Sequence, residues 1–230
     1  MKLVFLPGMD GTGILFEALF KELQGFDVIA LPLPGEGSQD YITLSCRIRS
    51  CLPNEDFVLV AESFSGGIAA QLSQQSIPYM KGVIFVASFL SSPNSLFAYL
   101  ASLLPLGSLL DLPLGAAIGG SLLFNRTEES MDIVQLKRVL HGVPESILKS
   151  RLKMISRLEY DGFKSSIPTV YIGAKKDRLV PNKKTEDFKK AYRNSMFALI
   201  DGPHFILQAK PKECASAIEA AVEFLKVNKN

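Results

Sequence analysis

The stretch that decides the fold is residues 57–76, Phe57-Val-Leu-Val-Ala-Glu-Ser-Phe-Ser-Gly-Gly-Ile-Ala-Ala-Gln-Leu-Ser-Gln-Gln-Ser76. Phe57 to Ala61 is a short apolar run that reads as a strand buried on both faces. Within about three residues the chain then opens into a helical pattern led by Ser65, Gly66 and Gly67. So sharp a passage from strand to helix forces the residue at the turn into strained backbone angles and leaves it standing at the carboxyl edge of the sheet. A serine there, with small residues two positions away on either side, forms a nucleophile elbow. Around Ser63 those small residues are Ala61 and Ser65. A register shifted by two would make Ser65 the nucleophile, but the strand would then have to run through the charged Glu62. The bland alternative for Ser63 is a helix N-cap.

On either side of this stretch strands and helices alternate. Leu3–Leu6 reads as a strand, followed by Pro7-Gly-Met-Asp-Gly-Thr-Gly13 and a helix with Leu15, Leu19 and Leu23 on one face. Asp27–Leu33 is a second strand, 45–51 a short helix and Gly82–Ala87 a fourth strand. Late in the chain come strands at Thr169–Gly173 and Met196–Ile200, with helices over 183–192 and 211–226. Nearly continuous apolar strands alternating with helices imply an α/β fold, a mostly parallel sheet of about six strands with helices on both faces. Residues 91–166 break the rhythm with helical patterns alone. They read as a helical cap inserted between core segments 1–90 and 167–230.

Two further residues give Ser63 chemical meaning. Asp177 and His204 each follow a late strand, in the chain order serine, acid, histidine that the elbow arrangement uses. Histidine supplies a base close to neutral pKa, and the acid fixes its tautomer. His141, the second of two histidines, lies in the insertion near Gly142 and reads as a helix-end residue. Asp201 precedes His204 by only three residues, too close to reach around its ring. Asp177 has an alternative reading as a turn or capping residue. The glycine loop 8–13 lacks the Lys-Ser/Thr of a phosphate-binding loop, and Gly8 stands where an Asp-x-Asp-Gly-Thr motif needs its first aspartate. The better reading is an oxyanion loop, in which the backbone N–H groups of Met9 and Phe64 face the developing charge.

These motifs resemble the α/β-hydrolase superfamily, and small bacterial esterase- and lipase-like serine hydrolases in particular. The resemblance covers 1–90 and 167–230 through Leu6-Pro-Gly-Met-Asp-Gly-Thr-Gly13, Glu62-Ser-Phe-Ser-Gly66, Gly173…Asp177-Arg-Leu-Val-Pro181 and Gly202-Pro-His204. The first and second of these are also similar to the hydrolase part of plant acyltransferases acting on phytol. Pro7 stands where a histidine is common, Ala61 and Ser65 replace the elbow glycines, and two of the usual eight strands are missing. The resemblance implies a serine esterase that cleaves a carboxylic ester or thioester through an acyl-enzyme. Acyl transfer, an acyl-carrier thioesterase and a non-catalytic hydrolase-fold binding protein are the alternatives.

Composition narrows the class further. A net charge of +2 gives no reason to expect nucleic acid. Three cysteines without metal-ligand spacing read as reduced thiols in a cytoplasmic protein. The strand-like Lys2–Leu6 lacks the features of a signal peptide. Leu96 to Phe124 carries only Asp111 as a charge, yet Pro105, Pro113 and several glycines cut it below the ~20 residues a spanning helix needs, so no stable membrane insertion is expected. The series is too apolar for one amphipathic face. It predicts either ordinary core packing or an acyl pocket lined by Leu96, Leu100, Leu103 and Leu123. No cofactor or metal is called for, the partner expected is a small-molecule ester or thioester, and nothing bears on oligomeric state.

Overall fold

The computed structural model describes residues 1–104, 112, 121, 123–124 and 131–227. Six parallel strands form one sheet: β1 (Lys2–Leu6), β2 (Asp27–Ala30), β3 (Phe57–Glu62), β4 (Met80–Val86), β5 (Thr169–Ala174) and β6 (Ser195–Ile200). Their spatial order is β2-β1-β3-β4-β5-β6. The chain therefore steps from β1 outward to β2 and returns on the other side of β1 to make β3. At such a reversal the loops leaving the two central strands diverge and open a crevice at their carboxyl ends. The loop after β1 and the elbow after β3 lie side by side there, because β1 pairs with β3 from Lys2↔Phe57 to Leu6↔Ala61.

Alternation along the central strands feeds two apolar layers. Phe57, Leu59 and Ala61 of β3 and Val83 and Phe85 of β4 face one side. There they meet α2 (Tyr41–Arg49), α3 (Ser65–Ser73) and α7 (Thr185–Ala191) through Leu44, Ile68 and Phe188. Val58, Val60, Ile84 and Val86 face the other, against α1 (Glu17–Glu22), α8 (Ile206–Ala209) and α9 (Pro211–Val227). Each fully buried Val, Leu or Phe in these layers contributes about 1.5–3 kcal/mol. Leu15, Leu19 and Leu23 are buried as their spacing requires, although the segment is a 3-10 turn (Ile14–Phe16) running into α1.

Several boundaries move for physical reasons. The helix expected from residue 45 starts at Tyr41, because Asp40 caps it by accepting the Thr43 N–H at 2.8 Å. The second strand stops at Ala30, and Leu33 then bonds the first loop through Leu33 N–H to Gly11 O at 2.8 Å. Glu62 does not break β3. It is the strand's last residue, paired with Val86 and buried.

Between β4 and β5 lie α4 (Ser95–Ser102), α5 (Met131–His141) and α6 (Glu145–Arg157). α4 packs on α6. Leu136, Val139, Leu140 and Leu148 form a third cluster with Phe124 and Leu15, and Leu123 and Phe205 pack against it. This cluster ties the insertion to both the first loop and the loop carrying His204. The 91–166 boundaries enclose these helices and leave all six strands outside. Among the described residues, no helix is long and apolar enough to cross a membrane.

Candidate active site

Ser63 has φ 47°, a left-handed conformation that a non-glycine residue adopts only when its surroundings impose it. Three contacts impose it here. The Ser63 N–H continues the ladder to Val86 O at 2.9 Å, the Gly66 N–H donates to Ser63 O at 3.0 Å, and Ser88 Oγ donates to the same carbonyl at 2.8 Å. Gly66 makes room for this: a Cβ there would lie 1.6 Å from Ser88 Oγ. The elbow thus depends on Ser88, just beyond β4, which no local sequence signal marks. Ala87 beside it also has positive φ, 45°.

The other two residues arrive on neighbouring loops. Lys175 N–H bonds to Ile200 O at 2.9 Å and Lys176 N–H to Gly202 O at 3.0 Å, so the turns after β5 and β6 are knitted together. They bring Asp177 and His204 to Ser63. Ser63 Oγ lies 2.9 Å from His204 Nε2, and His204 Nδ1 lies 2.8 Å from Asp177 Oδ2. Both side chains are buried. The second carboxylate oxygen of Asp177 accepts the Leu179 and Val180 N–H groups, each at 2.8 Å. Asp177 is therefore both the turn residue that a bland reading would make it and the partner of the histidine. The competitors fall elsewhere: Asp201 is exposed and paired with Lys176 at 2.9 Å, and His141 is exposed at the end of α5. Ser65 Oγ is fully buried and donates to Pro7 O.

Phe64 precedes α3 and carries its N-cap backbone, and Met9 sits in a turn closed by Gly11 N–H to Gly8 O at 3.1 Å. Among the described residues, neither the Met9 nor the Phe64 N–H is bonded to a protein acceptor. Phe64 also lies at a helix N-terminus, where partial positive charge accumulates.

The sequence reading gives no role to two ionisable groups that contact this loop. Glu62 is 4% exposed and receives the Gln208 Nε2–H at 3.0 Å and the Gly8 N–H. Burial, with Asp10 adding repulsion, raises its pKa to about 7 against the opposing effects of Gln208, His204 and Gly8. Arg151 of α6 is 1% exposed. It donates Nη1–H to Met9 O at 2.8 Å, Nη2–H to Pro34 O at 3.0 Å and Nε–H to Gln39 Oε1 at 2.9 Å. Burial lowers its pKa to about 10, partly offset by Asp10, so it stays charged at neutral pH. One signal could have found it. Arg151 stands four residues from both Ile147 and Ile155, inside the buried stripe of an otherwise amphipathic helix.

Of the four leucines expected to line an acyl pocket, Leu96, Leu100 and Leu103 are exposed on the α4 segment. Leu123 is half-buried, and its carbonyl accepts the Phe205 N–H at 3.1 Å, one residue from His204. Leu106, Leu109, Leu110, Leu114, Ile118 and Leu122 of the same series lie outside the described residues. No group of three or more His, Cys, Asp or Glu side chains suited to a metal ion occurs among the described residues.

In overall structure the chain is similar to a lipase-esterase related protein from Clostridium acetobutylicum ATCC 824. The TM-score is 0.77 at 19% identity, over 95% of this chain and 93% of that one. It is also similar to an esterase from Exiguobacterium antarcticum, with a TM-score of 0.80 at 15% identity over 97% and 92% of the two chains. A thermophilic esterase from Thermogutta terrifontis aligns with a TM-score of 0.76 at 17% identity over 98% and 90%. Identities this low establish a shared fold and nothing finer. No curated protein matches the chain by sequence. The alpha/beta hydrolase family model matches residues 3–217. With that match, the all-parallel sheet and the elbow after its third strand, the chain belongs to the alpha/beta hydrolase family.

Proposed function

We propose that the protein is a serine hydrolase of carboxylic esters or thioesters that works through an acyl-enzyme on Ser63. The observation that carries this reading is the continuous chain from Ser63 Oγ through His204 to Asp177, with contacts of 2.9 and 2.8 Å. His204 Nε2 takes the hydroxyl proton as Oγ attacks the substrate carbonyl carbon. The carbonyl π electrons move to oxygen, and that oxyanion accepts hydrogen bonds from the Met9 and Phe64 N–H groups. Collapse expels the alcohol or thiol, which takes the proton back from His204. Water then repeats the sequence on the acyl-enzyme, leaving a free acid and an unmodified serine. Asp177 holds the imidazole so that Nδ1 carries the proton and Nε2 is free to accept.

The substrate is assigned an apolar acyl or alcohol part. The support is the apolar face of α4, bearing Leu96, Leu100 and Leu103, and Leu123 beside the histidine loop. Three free thiols, Cys46, Cys51 and Cys214, favour a reducing cytoplasm. A fluorophosphonate probe tests the nucleophile: the wild type should be labelled and Ser63→Ala should not. An unlabelled wild type would sink the reading, and labelling that survives Ser63→Ala would move the nucleophile elsewhere. A panel of p-nitrophenyl esters tests the apolar acyl side. Turnover should rise with chain length, and preference for acetate with no gain from longer chains would remove the pocket.

A further inference from the structure

We propose that Arg151, reaching out of the helical insertion, is a positioning residue for the oxyanion loop, so that seating the insertion and aligning the Met9 N–H are one event. The inference rests on the serine-hydrolase reading above and concerns how its oxyanion site is held.

The loop is a run of rigid peptide planes, and each is held from a different direction. The Pro7–Gly8 plane is fixed by the elbow itself: Ser65 Oγ donates to Pro7 O, and the Gly8 N–H points to Glu62. The Met9–Asp10 plane is fixed by the insertion, through Arg151 Nη1–H to Met9 O at 2.8 Å. Between them lies the Gly8–Met9 plane, whose N–H the serine-hydrolase reading assigns to the oxyanion. Among the described residues, the backbone hydrogen bond that holds this plane is Gly11 N–H to Gly8 O, 3.1 Å. Gly11, whose N–H closes that turn, has φ 73°, and the guanidinium lies directly against it, since a Cβ on Gly11 would be 2.3 Å from Nη1. Without the guanidinium, rotation about the Met9 backbone would open the turn and swing its N–H away.

The rest of the guanidinium shows that it is built in. Nε and Nη2 bind Gln39 and Pro34 of the loop after β2, and the group lies 5.9 Å from the Phe64 ring centroid. Gln39 in turn donates Nε2–H to Pro34, Glu36 and Gly37 carbonyls at 3.2–3.3 Å. Arg151 thus clasps the loops leaving β1 and β2 and the residue after the nucleophile. The planar five-donor fork suits this task, which a lysine can serve at only one acceptor at a time.

Hydrolysis of a p-nitrophenyl ester by Arg151→Met and Arg151→Lys, with active sites counted by fluorophosphonate titration, tests the proposal. Arg151→Met should lose about tenfold to a hundredfold in kcat, somewhat less than outright removal of an oxyanion donor, while KM stays within about twofold. Affinity for a trifluoromethyl ketone, which forms the oxyanion adduct, should fall by the same factor. Millimolar propylguanidinium should restore part of the rate in Arg151→Ala. A group needed only for folding would give fewer titratable sites, unchanged turnover per site and no rescue. If Arg151→Met does not fold, Arg151→Lys carries the same test, with an intermediate loss in kcat expected. Unchanged kcat per site in the folded variants, or a rise in KM alone, overturns the proposal while the serine-hydrolase reading stands. A wild type that neither labels nor turns over sinks both.

Discussion

Replacing Glu62 by Gln should make the protein more stable, by a margin that grows from about pH 5 to above about pH 7. Glu62 closes β3 directly before Ser63, 4% exposed, with Asp10, His204 and Cys214 among the titratable groups around it. Its pKa stands at about 7 in the fold against an ordinary 4.5. The folded chain therefore holds this proton more tightly than the unfolded chain. Between those two values the folded state binds more protons, so stability falls as pH rises, and the loss is complete above about pH 7. A shift from 4.5 to about 7 corresponds to about 3 kcal/mol. Glutamine keeps the shape and never ionises. Its carbonyl can accept the Gly8 N–H, and its amide can donate to Gln208 Oε1, which is buried and has no hydrogen-bond partner among the described residues.

Thermal melts of wild type and Glu62→Gln from pH 5 to 8.5 isolate this group together with its coupling to Asp10, His204 and Cys214, because the remaining titrations are common to both proteins. At pH 8 the variant should gain up to about 3 kcal/mol, or roughly 6–12 °C in Tm for a chain of this size. Near pH 5 the gain should shrink to below about 1 kcal/mol. A difference in Tm that is flat with pH, or a variant less stable at pH 8 than at pH 5, would refute the reasoning. The buried carboxylate would then be stabilised by its partners more than burial penalises it.

Other outcomes follow from the same geometry. Asp177→Asn should lower kcat by about 10⁴-fold with folding intact, measured by ester hydrolysis and thermal melting. Its Oδ1 can still accept the Leu179 and Val180 N–H groups, but its amide would face Nδ1 and leave the proton on Nε2. Gly66→Ala should cost about 1–3 kcal/mol, because the new Cβ would lie 1.6 Å from Ser88 Oγ, and Ser88→Gly in the same chain should recover part of it. In a thiol-reagent titration, Cys46 and Cys51, both exposed, should react quickly, and Cys214 only on unfolding. Burial raises the Cys214 pKa to about 12, and its Sγ–H bonds Ile206 O at 3.4 Å.

How much of this was legible in the sequence depended on how local the cause was. The strands are readable because each carries an apolar run, as a sheet covered on both faces requires. Ser63, Asp177 and His204 were readable because each follows a strand, and a parallel sheet gathers all such loops at one edge. The reading that favours Ser63 over Ser65 rests on Glu62 breaking the strand, whereas Glu62 is the strand's buried last residue. What separates the two serines is where each hydroxyl goes, one to His204 and the other to the Pro7 carbonyl.

The illegible parts are those held by partners far away in the chain. Ser88 braces the Ser63 carbonyl from 25 positions downstream, and Arg151 holds the Met9 carbonyl from 142 positions away. No pattern of spacing encodes such a contact, because the sheet order that creates it is itself non-local. The leucines of 91–166 predict either core packing or an acyl pocket. Arg151, in the same segment, is instead a charge buried in the apolar stripe of α6 and bonded to the loop after β1. A buried guanidinium left without acceptors would be strongly destabilising, and its three acceptors all lie on the core loops after β1 and β2. The core therefore needs the insertion to fix its loop, and the insertion needs the core to satisfy its charge. Neither half of that dependence is visible until both loops and the helix are placed together.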